Sequence, residues 1–192
     1  MTLLAAHDLG HRFGSRWLFR HLEIELRPGD VLGVVGRNGS GKSTLLRALG
    51  LLLSPAEGEV RLGGGRDPRL ALGYSGIDLN LYPALTAREH MAFAARVRGI
   101  EEGSLDDVGL ADAADRPAGQ FSTGMRARLK LALALQSKPD VLLLDEPSAA
   151  LDAEGQDLVA RAIDRQRASG AVAIATNDSA DRRYLTHVLE IG

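Results

Sequence analysis

Residues 36 to 44 read Gly36-Arg37-Asn38-Gly39-Ser40-Gly41-Lys42-Ser43-Thr44, a Gly-x-x-x-x-Gly-Lys-Ser pattern. Glycines here leave room for backbone N–H groups to curl around phosphate oxygens with no Cβ in the way. A helix starting at the end of the loop adds unsatisfied donors and a partial positive charge. In that setting Lys42 neutralises the β- and γ-phosphates of a nucleotide, and Ser43 ligates Mg2+ through its hydroxyl. Further along, Val141-Leu142-Leu143-Leu144-Asp145-Glu146 is an apolar run ending in two carboxylates. Asp145 suits Mg2+, reached through water because that ion dehydrates reluctantly. Glu146 suits the polarisation of an attacking water. Alone, the first motif could be a Gly-rich turn with a chance lysine, and the second a pair of solvated acids at a strand end. Together they make both alternatives weak.

These residues need strands that end where they begin. Leu22, Ile24 and Leu26 alternate with Glu23 and Glu25, the period of a half-exposed strand, and Pro28-Gly29-Asp30 turns the chain. Residues 31–35 are a short β-branched run that reads as a buried parallel strand feeding directly into the glycine loop. A helix is expected over 45–52, stopped at Ser54-Pro55. Strands are expected at Val60 and Leu62, over 70–74, over 140–144 and over 171–176, with a further one at 188–191. Helices are expected over 86–98, with Thr86 and Glu89 as a capping box, over 123–136, and over 153–168 with Leu158, Val159, Ala162 and Ile163 on one face. Residues 99–117 are acidic, Ala-rich and broken, and suggest a short helix between loops. Alternating strands and helices imply a mainly parallel α/β sheet. The stretch 77–136, helical and without a convincing strand, reads as an inserted lobe, leaving 1–76 and 137–192 as the sheet lobe of a single domain.

Phe121-Ser122-Thr123-Gly124-Met125 precedes a helix. Ser122 can cap that helix, and a capped helix N-terminus is also what a γ-phosphate seeks; local sequence does not choose. The order of the glycine loop, Phe121–Met125, Asp145-Glu146 and Ser148-Ala149-Ala150-Leu151-Asp152 resembles the nucleotide-binding domain of ABC transporters over nearly the whole chain. That resemblance implies the fold of a P-loop NTPase of ABC type, with an N-terminal antiparallel strand region and a helical subdomain inserted in the parallel-sheet core. It implies ATP hydrolysis with Mg2+, and a head-to-tail dimer, of like or unlike subunits, around two ATP molecules. Ser122, Thr123, Gly124 and Met125 would form the signature sequence facing the partner's nucleotide, Asp152 would lie in the loop crossing the dimer interface, and Phe13 would stack on adenine. Transmembrane permease subunits would be the partners, holding the protein at the inner face of the cell membrane. The small size, with Leu-Gly-Tyr-Ser-Gly and Leu-Thr-Ala-Arg-Glu, is similar to the haem-exporter ATPases of cytochrome c maturation.

Two positions depart from that family. Ile77 stands where a glutamine is usual, and where the haem-exporter group tends to have His; it offers neither a metal ligand nor a hydrogen bond to water. Asp78 or Asn80 could substitute only with a shift of register. Asn177 stands where the family has His before Asp178; it can donate to a γ-phosphate but cannot become cationic. Slow hydrolysis with intact binding is therefore one expected alternative. A soluble, non-transport ABC ATPase acting on ribosomes or DNA is another, but the net charge of −2 provides no basic field for nucleic acid. With no cysteine, disulfides and thiolate metal sites are excluded. The first ten residues lack a basic segment followed by an apolar core, so no signal peptide is expected, and the apolar runs are too short to span a bilayer.

Overall fold

Side chains alternate in direction along a strand, so a strand buried on both faces feeds two cores at once. Three strands do this here. In Val31–Val35, Val141–Asp145 and Ala171–Ala175 every residue is buried. Leu32, Val34, Val141, Leu143, Ala171 and Ala173 pack into one core; Val31, Leu142, Leu144, Val172 and Ile174 pack into the other.

The computed structural model describes residues 1–149 and 151–192. The strands are β1 (Leu4–Phe13), β2 (Arg16–Leu26), β3 (Val31–Val35), β4 (Glu57–Leu62), β5 (Leu72–Ser75), β6 (Val141–Asp145), β7 (Ala171–Ala175) and β8 (His187–Glu190). The helices are α1 (Lys42–Leu49), α2 (Pro68–Ala71), α3 (Ala87–Arg98), α4 (Thr123–Leu135) and α5 (Ala153–Arg167). A five-stranded sheet runs β5-β6-β7-β3-β8 with parallel pairing throughout. A smaller antiparallel sheet, β2-β1-β4, packs with α1 on one of its faces. The other face carries α5 together with α3, α4 and the turns between them. Among the described residues, the only β pairing between 77 and 136 is an isolated bridge from Thr86 to Pro117. No helix among the described residues is long and apolar enough to cross a membrane.

Three elements differ from the sequence expectation. Helix α1 ends at Leu49, not 52. The Gly50 amide closes on Leu46 O, and Leu51 takes a left-handed φ of 56°, so the turn is made before Ser54-Pro55 is reached. Residues 68–71 form a helical turn rather than strand, because Asp67 accepts from the Arg69 amide and Pro68 occupies the first helical position; β5 begins only at Leu72. The segment 99–117 holds two 3-10 turns, Asp106–Val108 and Ala111–Ala113, and no α-helix.

The capping box at α3 is complete: the Glu89 amide donates to Thr86 Oγ1 at 3.1 Å and the Thr86 amide donates to Glu89 Oε2 at 2.8 Å. Thr86→Ala is expected to cost about 1 kcal/mol of stability, read as a lower midpoint in urea unfolding, while Thr86→Ser retains most of it.

Candidate active site

Parallel sheets gather ligands at the carboxyl ends of their strands, where the order of connection reverses. The order β6-β7-β3 brings three such ends side by side, with Asp145 opposite Ala175 and Ala175 opposite Val34. Each strand then delivers its own chemistry: the glycine loop after β3, Asp145 and Glu146 from β6, Asn177 after β7.

The loop is shaped by its glycines. Gly36, Gly39 and Gly41 all have positive φ, at 152°, 79° and 107°. A Cβ on Gly36 would lie 2.0 Å from Ile191 O and 2.7 Å from Ser40 Oγ, so no larger residue fits without moving the loop off β8. Arg37, Asn38 and Gly39 are exposed, whereas Ser40, Lys42 and Thr44 are buried. Lys42, the first residue of α1, turns its ammonium back over the loop and donates to Gly36 O at 2.9 Å, Arg37 O at 3.3 Å and Asn177 Oδ1 at 3.0 Å. Asn177 in turn donates through Nδ2 to Asn38 Oδ1, and its amide reaches Glu146 Oε2 at 3.3 Å. One asparagine thus joins the loop, the lysine and the β6 carboxylate.

Asp145 is buried, and among the described residues its Oδ1 has no hydrogen-bond partner; neither has Ser40 Oγ. Burial pushes the Asp145 carboxyl above its ordinary range, while a hydrogen bond from Ser43 pulls against that shift. Glu146 is likewise raised by burial and opposed by the Asn177 amide. Glu146 also holds a left-handed φ of 49°, an uncommon conformation for a residue with a Cβ. A buried, unpaired carboxylate oxygen beside a serine hydroxyl fits a hard cation taken with oxygen ligands and water, as Mg2+ prefers. Mg2+ bound there would supply charge that offsets the phosphates of a nucleotide.

Other site candidates lie apart from this cluster. Phe13 ends β1, 59% exposed as a residue, with its ring edge-on to His11 at 5.3 Å. The β1–β2 hairpin does meet the loop, since a Cβ on Gly41 would touch Leu18 Cβ at 3.0 Å. Ser122 caps α4, accepting from the Met125 amide at 3.1 Å, and Ser122 and Thr123 are exposed while Gly124 and Met125 are half-buried. Among the described residues no hydrogen bond joins Ser122, Thr123, Gly124 or Met125 to the glycine loop. Asp152 caps α5 through the Gly155 amide at 2.9 Å and accepts from Arg128 of α4, also at 2.9 Å. Those bonds hold its carboxyl below the usual carboxylate range. Of the run 148–152, Ala150 lies outside the described residues. A cavity of about 410 Å³ opens beside Glu146, lined by Ile77, Thr123, Leu131, Leu151 and Leu158.

Asp181 carried no sequence signal. It is 1% exposed and accepts from Ser148 Oγ and Thr176 Oγ1, each at 2.7 Å, tying the segment after Glu146 to the end of β7. Tyr74 and Arg47 were equally silent, and both contact Asp78: the Tyr74 hydroxyl donates to Asp78 Oδ1 at 2.7 Å, and Arg47 Nη1 lies 3.4 Å from Asp78 Oδ2.

Parallel sheet, glycine loop and paired carboxylates define an ATPase of the P-loop kind, and the family profile described as ABC transporter matches residues 19–149. The chain belongs to the ABC transporter family and is an ATP-binding, ATP-hydrolysing domain of it. It is 42% identical to the cytochrome c biogenesis ATP-binding export protein CcmA of Bordetella bronchiseptica, over 90% of this chain and 81% of that one. It is 35% identical to a probable anion import ATP-binding protein of Haloferax volcanii, over 96% and 75% of the two chains. Among solved structures it resembles the dimeric post-hydrolysis state of an ATP-binding cassette bound to ADP and Pi, with TM-score 0.85, 22% identity, and 98% and 94% of the chains covered.

The raised Asp145 gives a signed prediction. The folded protein holds this proton more tightly than the unfolded chain, so the group favours folding below the ordinary Asp range. That contribution is lost as pH rises through the raised folded value. Asp145→Asn removes the charge, and in EDTA its melting temperature is expected to exceed that of the wild type by a margin that widens between about pH 4 and about pH 7. A margin that narrows over that range would contradict the assignment of burial as the dominant influence.

Proposed function

We propose that the chain is the ATPase subunit of an exporter, binding Mg–ATP in the loop 36–44 and working as one of two cassettes that close head to tail on two nucleotides. The observation that carries this reading is the Lys42 ammonium, held by Gly36 O, Arg37 O and Asn177 Oδ1 where phosphate oxygens would take it over. Backbone N–H groups of the loop and the start of α1 receive the phosphates. Ser43 and Asp145 hold Mg2+, the latter through water. Glu146 orients and polarises the attacking water, and Asn177 donates to the γ-phosphate through Nδ2 once that group leaves Asn38 Oδ1. Phe13 stacks on the base. Ser122 and Gly124, at the N-terminus of α4, face the partner's γ-phosphate, and Asp152 lies along the seam between cassettes. Residues 77–136 act as a lobe that moves with this seam relative to 1–76 and 137–192.

The membrane partners bind the segment 77–85, and the chain sits in the cytoplasm against them at the inner face of the membrane. Support comes from the exposed apolar side chains Ile77 (70%) and Tyr82 (61%), and from a cleft of about 180 Å³ lined by Leu79, Leu81, Pro83 and Gly119. Export linked to cytochrome c biogenesis is the first cargo class to test, because CcmA of Bordetella bronchiseptica is the relative at 42% identity. A weakly hydrolytic module is the second reading, favoured by Asn177 and Ile77.

Glu146→Gln keeps the phosphate donors but removes the carboxylate that polarises water. It is expected to bind ATP at wild-type affinity, slow turnover at least about a hundredfold, and run as a dimer in size exclusion with ATP and its membrane partners; a monomer under those conditions contradicts the paired-cassette reading. Asn177→His tests the slow-hydrolysis reading. A donor that acts mainly in the transition state changes kcat more than affinity, so kcat is expected to rise with ATP affinity nearly constant. A fall in kcat would mean that Asn177 is adapted to its neighbours Lys42 and Asn38.

A further inference from the structure

The loop after β5 lacks the polar side chain expected at Ile77, whose own side chain is turned to solvent and 70% exposed. The next residue is not turned away. Asp78 Oδ1 accepts from the Tyr74 hydroxyl at 2.7 Å, and Oδ2 lies 3.4 Å from Arg47 Nη1 on α1, one turn beyond Ser43. The loop folds tightly to achieve this, since a Cβ on Gly76 would fall 2.4 Å from the Tyr74 hydroxyl and 2.8 Å from Asp78 Oδ1. Lys130 of α4 fixes the same turn, donating to Gly76 O and Ile77 O, each at 3.0 Å. The carboxylate is therefore held from β5 and α1, and its turn from α4, on the α1 side of the sheet where Ser43 and Asp145 meet. Its field reaches Asp145, adding to the upward shift of that carboxyl, while Arg47 opposes it.

Asp145 Oδ1 is buried without a partner among the described residues, which marks this corner as built for something it does not itself contain. Among the described residues no group of three or more His, Cys, Asp or Glu side chains could hold a metal unaided. A contact from Asp78 through water is in keeping with the hydrated way Mg2+ is bound. We propose that Asp78, oriented by Tyr74 and Arg47, is the positioning residue that makes this water-mediated contact to the Mg2+ of the bound nucleotide, in the role that Ile77 cannot fill. This rests on the nucleotide site proposed above and adds to it a specific acceptor for a metal-bound water. It also makes the cation site report to α4, because the turn that carries Asp78 is the one Lys130 grips.

The test is the gain in affinity that Mg2+ gives a fluorescent non-hydrolysable ATP analogue, measured on the full chain in EDTA and in Mg2+. Outer contacts to a metal are worth about tenfold to a hundredfold in affinity. Asp78→Asn keeps an acceptor for Tyr74 but loses the charge, and is expected to cut the Mg2+-dependent gain about tenfold while leaving the EDTA affinity unchanged or slightly higher. Tyr74→Phe is expected to cut the gain in the same direction by less. Ile77→Gln placed in the Asp78→Asn background is expected to restore it. An Asp78→Asn gain equal to wild type overturns the assignment, as does an equal loss of affinity in EDTA and Mg2+, which would mean Asp78 only shapes the loop. A wild-type chain that gains nothing from Mg2+ overturns the metal site itself, and this assignment with it.

Discussion

A buried ammonium needs partners, and the way Lys42 finds them organises this molecule. Its side chain springs from the first turn of α1 and bends back over the loop that precedes the helix, taking two loop carbonyls and the Asn177 amide oxygen. Each of those acceptors is weaker than a phosphate oxygen, which is charged. The protein thus holds its cation in place with neutral groups that a nucleotide can displace. Asn177 has a second attachment through its amide to Glu146, so taking Lys42 away from it touches the carboxylate that would act on water. Binding and chemistry share one residue, whose side chain holds Lys42 and whose backbone N–H reaches Glu146.

That sharing is possible because three strands buried on both faces end at one edge. β6, β7 and β3 cannot slip against one another without turning Leu142 and Leu144 into the core where Leu143 sits. Register is therefore fixed by packing on two sides, and Asp145, Ala175 and Val34 stay level. Asp181 reinforces the arrangement just beyond the strands by bridging Ser148 and Thr176. The cost of this rigidity falls on Asp145 and Glu146, whose charges are partly stripped of water, and on the left-handed backbone of Glu146.

Features encoded within a few residues were legible in the sequence. The glycine loop, the Asp145-Glu146 strand end, the Thr86–Glu89 box and the apolar face of α5 each rest on local spacing, and each is formed. β1 carries no such mark, because its pairing with β2 shifts register between Ala6 and Leu9, between Leu9 and His11 and between His11 and Arg12, which breaks the alternation of a regular strand. The strand expected over 70–74 lost its first half to the Asp67–Pro68 start of α2, where a local cap outweighed an apolar pattern. Contacts between distant residues left no trace at all. Asp181 with Ser148, Arg128 with Asp152, and Tyr74 and Arg47 around Asp78 are decided by how elements pack, and their sequence surroundings look like ordinary loop and helix surface.

The exchange of Lys42 from its protein acceptors to phosphate is most directly tested by equilibrium binding of ATP to the wild-type chain and to Lys42→Ala, with circular dichroism to establish that both are folded. Loss of a charge-assisted hydrogen bond of this kind corresponds to a fall of about tenfold to a hundredfold in affinity. A folded Lys42→Ala chain that binds ATP at least about tenfold more weakly agrees with a phosphate taking the place of Gly36 O and Asn177 Oδ1. A folded variant with wild-type affinity would contradict it, and would place the nucleotide somewhere other than the loop at the end of β3.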